Sequence, residues 1–121
     1  MQILVVDDDP LAGEMTTAVL EDQGHTIYQA ENAAEAMDVL NQQPSIELIV
    51  SDLNMPLISG IELYRELKEQ GCTRPFILLT GDSPDSVLAQ EPGVDACVMK
   101  DFSMQDTLPA AIAAAMLERE L

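Results

Sequence analysis

Residues 46–60 read IELIVSDLNMPLISG. The run Ile46–Ser51 is short, apolar and rich in β-branched residues, which predicts a buried strand. Asp52 follows it directly. The stretch from Asn54 to Gly60 is turn-rich. Ser59, with Glu62 three residues later, then has the pattern of a capping box opening a helix that ends near Gly71. The order is strand, acid, turn, helix.

The same order runs through the rest of the chain. Gln2–Val6 reads as a first strand, and Asp9-Pro10 as a cap with proline at the first helical position. That helix runs to about Gln23 and stops at Gly24. Thr26–Gln29 is a second strand. Asn32 and Glu35 open a second helix, which ends before Pro44. Phe76–Leu79 is a fourth strand, followed by a short helix from Ser83-Pro84 to before Pro92-Gly93. Asp95–Met99 is a fifth strand, and Ser103 with Asp106 caps a last Ala-rich helix. Short apolar strands alternating with helices predict an α/β fold, a parallel sheet covered on both faces, with right-handed crossovers. Such a sheet binds ligands beyond the carboxyl ends of its strands.

Length and composition agree with one ordinary domain over residues 1–121. The chain is 47% hydrophobic and only 3% aromatic, so its core is aliphatic. With 22 acids against 5 bases the formal charge is −17. That charge excludes direct nucleic-acid binding and anionic membranes, and favours cations and basic partner surfaces. Cys72 and Cys97 form no CxxC, and His25 is the only histidine, so zinc sites and His-based triads are not expected. No leader and no apolar run of membrane-spanning length is seen, which reads as cytoplasmic.

The residues at the strand ends are Asp7, Asp8 and Asp9, then Asp52, Thr80 and Lys100. Asp9 reads as the helix cap. Each of the others has an ordinary structural reading when taken singly, but the fold brings them to one edge. Three close carboxylates, Asp7, Asp8 and Asp52, raise one another's pKa, and a hard divalent cation such as Mg²⁺ held by them removes that cost. A carboxylate beside such a cation can attack a phosphoryl group, with an ammonium and a hydroxyl stabilising the transferred charge. No Gly-rich phosphate loop is present.

The runs Ile3–Pro10 (ILVVDDDP), Ile49–Pro56 (IVSDLNMP) with Gly60, Leu78–Gly81 (LLTG) and Val98–Lys100 (VMK) resemble receiver domains of bacterial two-component response regulators. The resemblance covers essentially the whole chain. It implies a CheY-like fold, five parallel strands in order 2-1-3-4-5 with five helices. It implies Asp52 as phosphoacceptor, and Asp8 and Asp7 as Mg²⁺ ligands, Asp7 mainly through water. Asn54 would offer its backbone carbonyl to the metal. Thr80 is the switch hydroxyl, and Lys100 contacts the phosphoryl oxygens. The donor would be a histidine kinase or a histidine phosphotransfer protein. The domain would accept a phosphoryl group and lose it slowly, rather than turn over a substrate.

Three features depart from that family. Asp101 follows Lys100 where proline with a cis bond is usual. A non-proline cis bond costs about 2.5–4 kcal/mol against about 0.5–1 for proline, so Lys100-Asp101 should be trans, and Asp101 could compete for Lys100. Cys97 replaces the usual switch aromatic and reads as a buried strand residue, leaving Tyr28 and Phe102 as the nearest spare rings. The span from Thr80 to Lys100 is short, which predicts a short, mobile fourth helix. In the last helix Ala110, Ala111, Ala114 and Ala115 read as an inner face, although small residues at this spacing also admit a neighbouring helix, as in a homodimer. The departures sustain an alternative, a receiver-like binding module acting without phosphorylation. An aspartyl phosphatase is disfavoured by Asn54, which stands where the leaving-group acid would be needed. A flavin carrier is disfavoured by Asp7 and Asp8. Beginning at Met1 and ending with the last helix fits a complete regulator or a fragment without its effector domain, and the output partner stays open.

Overall fold

The structure is a computed structural model that describes residues 1–101 and 103–120. Five strands form one parallel sheet: β1 (Gln2–Val6), β2 (Thr26–Ala30), β3 (Leu48–Asp52), β4 (Phe76–Thr80) and β5 (Ala96–Met99). Their order is β2-β1-β3-β4-β5. Helices α1 (Pro10–Asp22), α2 (Ala33–Gln42), α3 (Gly60–Glu69), α4 (Pro84–Gln90) and α5 (Met104–Glu120) follow the strands in turn.

Side chains alternate across the sheet and so sort into two cores. Ile3, Val5, Leu48, Val50, Ile77 and Leu79 pack with Leu20 of α1 and with Met104, Leu108 and Ile112 of α5. Leu4, Val6, Ile49, Phe76 and Leu78 pack with residues of α2, α3 and α4, among them Leu40, Leu63 and Val87. Every residue of β3 and β4 is buried. Each large aliphatic side chain buried there contributes about 1.5–3 kcal/mol. A strand so enclosed tolerates a carboxylate only at its end, and that is where Asp52 stands.

Helix entries follow the sequence closely. The Asp9 carboxylate accepts from the Leu11 N–H at 3.0 Å. Asn32 accepts from the Glu35 N–H at 2.8 Å. Ser59 and Glu62 form the full reciprocal box. Gly24 and Gly71 take positive φ, 89° and 85°, just beyond their helices.

Strand ends differ from the sequence expectation. β3 begins at Leu48 rather than Ile46, because the Ile46 N–H turns back to the Gln43 carbonyl and its own carbonyl accepts from Arg74 Nε at 2.7 Å. β5 begins at Ala96, and Asp95 before it is tied twice to Phe76, its N–H donating to the carbonyl at 2.9 Å and its carboxylate accepting from the N–H at 2.8 Å. Asp52 and Thr80 are the last residues of their strands rather than the first beyond them, because the ladder extends to Asp52 opposite Leu79 and Thr80 opposite Met99.

The entry to α5 also differs. Asp106 N–H donates to the main-chain carbonyl of Ser103 at 2.9 Å, while the Ser103 hydroxyl donates to Asp101. The Asp101 carboxylate therefore organises this turn, accepting from the Ser103 N–H at 2.9 Å as well. Along α5 the alanine row is split: Ala115 is buried and Ala111 half-buried, but Ala110 and Ala114 face solvent. The four do not form one inner face, since successive pairs straddle the helix boundary between sheet and water. Phe102 lies outside the described residues.

Candidate functional site

β1 and β3 are neighbours, so their last residues open onto the same edge. There Asp7, Asp8 and Asp52 each offer a carboxylate oxygen within 4.8 Å of the other two. Asp7 and Asp52 are buried and Asp8 is exposed. Asp7 is tied from both sides: its N–H donates to the Ala30 carbonyl of β2 at 3.0 Å, and its Oδ1 accepts from the Asp9 N–H at 2.9 Å.

Lys100, just beyond β5, reaches across the edge. Its Nζ lies 2.8 Å from Asp7 Oδ2 and 3.1 Å from Asp52 Oδ1. One ammonium facing three carboxylates leaves a local excess of two negative charges when all are ionised. Burial pushes the Asp52 carboxyl above the ordinary carboxylate range. The Lys100 charge and hydrogen bond pull it back, the Asp7 charge adds to the rise, and a hydrogen bond from the Asn54 main chain lowers it. Burial pulls the Lys100 ammonium down, but the hydrogen bonds and charges of Asp7 and Asp52 outweigh it, and its pKa is raised. The two shifts have different origins: burial raises Asp52 against the pull of Lys100, whereas the two carboxylates raise Lys100 against burial. The donors are all oxygen, two held by the fold and one open to solvent, and this is a set that suits a hard divalent cation.

Thr80 ends β4 with no exposed surface. Its hydroxyl accepts from the Asp82 N–H at 3.0 Å, so it is linked to the entry of α4. Lys100 N–H donates to the Thr80 carbonyl at 2.7 Å, which ties the two residues through their backbones.

The loop after Asp52 is closed by the Gly60 N–H on the Leu53 carbonyl at 2.8 Å. A Cβ at Gly60 would overlap the carbonyl oxygen of Asp52 and lie 2.7 Å from Leu78 Cδ2, so only glycine allows this closure. Within the loop the Ile58 N–H donates to the Pro56 carbonyl at 2.8 Å, with Leu57 at φ 69° between them. This is a γ-turn of the positive-φ kind, which is rare and strained for a residue with a branched side chain.

Lys100-Asp101 is trans, as expected. Asp101 does not compete for Lys100: its Oδ1 is engaged by Ser103, and Lys100 pairs with Asp7 and Asp52. Cys97 is half-buried against the core on the α2–α3 side, its thiol pushed up to about 11 by burial. Tyr28 reaches Gln43 rather than the acidic edge. Helix α4 is short, as expected, with Val87 its one buried residue. Cys72 and Cys97 are free thiols.

One contribution escapes a reading by residue type, and a second goes unread although its residue types signal it. The Ala30 carbonyl positions Asp7 through the backbone, and no side chain signals it. The Asp101 turn was legible, since Asp with a hydroxyl residue two positions on is the pattern of an Asx-turn.

Residues 3–113 match the family described as the response regulator receiver domain. The chain is 38% identical over 119 residues to the phosphate regulon transcriptional regulatory protein PhoB of Escherichia coli, covering 95% of this chain and 51% of PhoB. It is 35% identical over 112 residues to the E. coli transcriptional regulatory protein GlrR, covering 91% of this chain and 25% of GlrR. Thus it spans from a quarter to half of these curated relatives. Among solved structures, the response regulator TrrA of Thermotoga maritima in complex with Mg²⁺-BeF superposes with a TM-score of 0.84 at 32% identity, over 94% of this chain and 97% of that one. Fold, acidic pocket and relatives agree, and the chain belongs to the response regulator receiver domain family of two-component systems.

Proposed function

We propose that residues 1–121 act as one receiver unit that accepts a phosphoryl group on Asp52 and changes its partner contacts in response. The observation that carries this reading is the Asp7–Asp8–Asp52 cluster with Lys100 bridging two of its members. Asp52 is the nucleophile: its carboxylate oxygen bonds to phosphorus as the bond from phosphorus to a histidine nitrogen breaks, and the freed imidazole takes a proton. Lys100 exchanges its contact with Asp52 for the arriving phosphoryl oxygens while it keeps Asp7. The Thr80 hydroxyl, turned from the Asp82 N–H, donates to another of those oxygens. Asp7, Asp8, Asp52 and the Asn54 carbonyl would hold Mg²⁺, which when bound neutralises the carboxylates and the charge on the transferred group. The donor is a histidine kinase or a histidine phosphotransfer protein.

The test is incubation with acetyl phosphate, with and without Mg²⁺, followed by intact mass over time. A Mg²⁺-dependent gain of one phosphoryl group in wild type, absent in Asp52→Asn, is expected. No gain at high donor concentration would overturn the reading and favour a binding module that works unphosphorylated, an alternative motivated by Cys97 and Asp101.

A further inference from the structure

Leu57 is the side chain that neither backbone nor core explains. It sits at positive φ in the γ-turn, five positions after Asp52, where glycine would relieve the turn. Its side chain is fully exposed, 101%, while Met55 and Ile58 on either side pack against the core. The fold therefore holds the loop on both flanks and aims one apolar side chain into water at the edge of the acidic pocket. Leu11, in the first turn of α1, is also exposed, 72%, at this edge. The surrounding charges are of one sign: Asp8, Asp9, Asp82 and Asp101 are exposed, and Lys100 is engaged by Asp7 and Asp52.

We infer that Leu57 is a specificity-determining contact for the protein that delivers the phosphoryl group to Asp52. Its counterpart is an apolar recess with a basic rim on that donor. Basic groups match the carboxylates around the pocket, and the recess removes Leu57 from water. The inference rests on the phosphoacceptor reading above. Leu57 takes no part in the chemistry at Asp52, so a small donor needs no contact with it. A protein donor must dock over the loop to bring its histidine within reach.

The experiment compares wild type with Leu57→Asn, Leu57→Gly and Leu57→Met. The probes are acetyl phosphate and a phosphorylated histidine kinase core, chosen from the same genome as the fastest donor to wild type. Acetyl phosphate should label all four within twofold of one another, and the Asn and Gly variants should melt no lower than wild type. Transfer from the kinase core to the Asn and Gly variants should fall at least tenfold in kcat/KM, with Leu57→Met restoring most of it. In wild type that transfer should slow as salt rises. Equal transfer to wild type and Leu57→Asn would overturn the inference and leave the phosphoacceptor reading standing. Failure of acetyl phosphate to label wild type would instead remove the phosphoacceptor reading on which the inference rests.

Discussion

At the scale of single residues, Asp52 gains little from its own charge. Burial and the Asp7 charge oppose ionisation, and Lys100 only partly compensates. In EDTA at neutral pH, Asp52→Asn should therefore melt at or above the wild-type temperature, read by circular dichroism. A clear drop would mean that the Lys100 contact outweighs the cost of burial. Cys97 gives a prediction with a definite pH sign. A thiol pushed up to about 11 is protonated at pH 8 and becomes a nucleophile only as pH rises toward that value. In a Cys72→Ser background, a disulfide reagent should react with Cys97 roughly a hundredfold more slowly than with a free thiol at pH 8, the gap closing as pH rises. The acids were legible because an apolar strand that ends in carboxylates places them at the sheet edge. The strain at Leu57 was not, because a positive φ at a branched residue comes from loop closure by Gly60 rather than from local preference.

At the scale of elements, the β5–α5 connection shows where sequence pattern and structure part. Ser103 and Asp106 carry the spacing of a cap, yet the Ser103 hydroxyl turns to Asp101, whose carboxylate also takes the Ser103 N–H in an Asx-turn just before the helix. Asp101→Ala should cost about 1 kcal/mol in urea denaturation, the net worth of the hydrogen bonds to Ser103 that it removes. Asp101→Pro should cost more, since it also removes the N–H that donates to the Met99 carbonyl at 3.1 Å. Gly60→Ala should be costlier still, about 2 kcal/mol or more, because backbone and Leu78 must yield to the new methyl group. Five strands and five helices were readable from alternation of apolar runs and caps. Their exact ends were not, since partners such as Gln43 and Arg74 decide that Ile46 stands outside the ladder.

At the scale of the molecule, the formal charge of −17 and the local excess at the acidic edge point the same way. Cations that bind the native state should stabilise it in proportion to their occupancy. MgCl₂ should raise the melting temperature beyond a NaCl control of equal ionic strength, and Asp8→Ala should remove most of the difference. Equal shifts in both salts would mean general screening rather than a site. No described helix is long and apolar enough to cross a membrane. The central claim is that one carboxylate among many takes the phosphoryl group. The most direct measurement is borohydride reduction of the chain after acetyl phosphate and Mg²⁺, followed by peptide mass spectrometry. An acyl phosphate is reduced to the alcohol, so homoserine should appear at position 52 alone, and nowhere in Asp52→Asn. Homoserine at Asp7, Asp8 or another acid, or at none, would contradict the assignment.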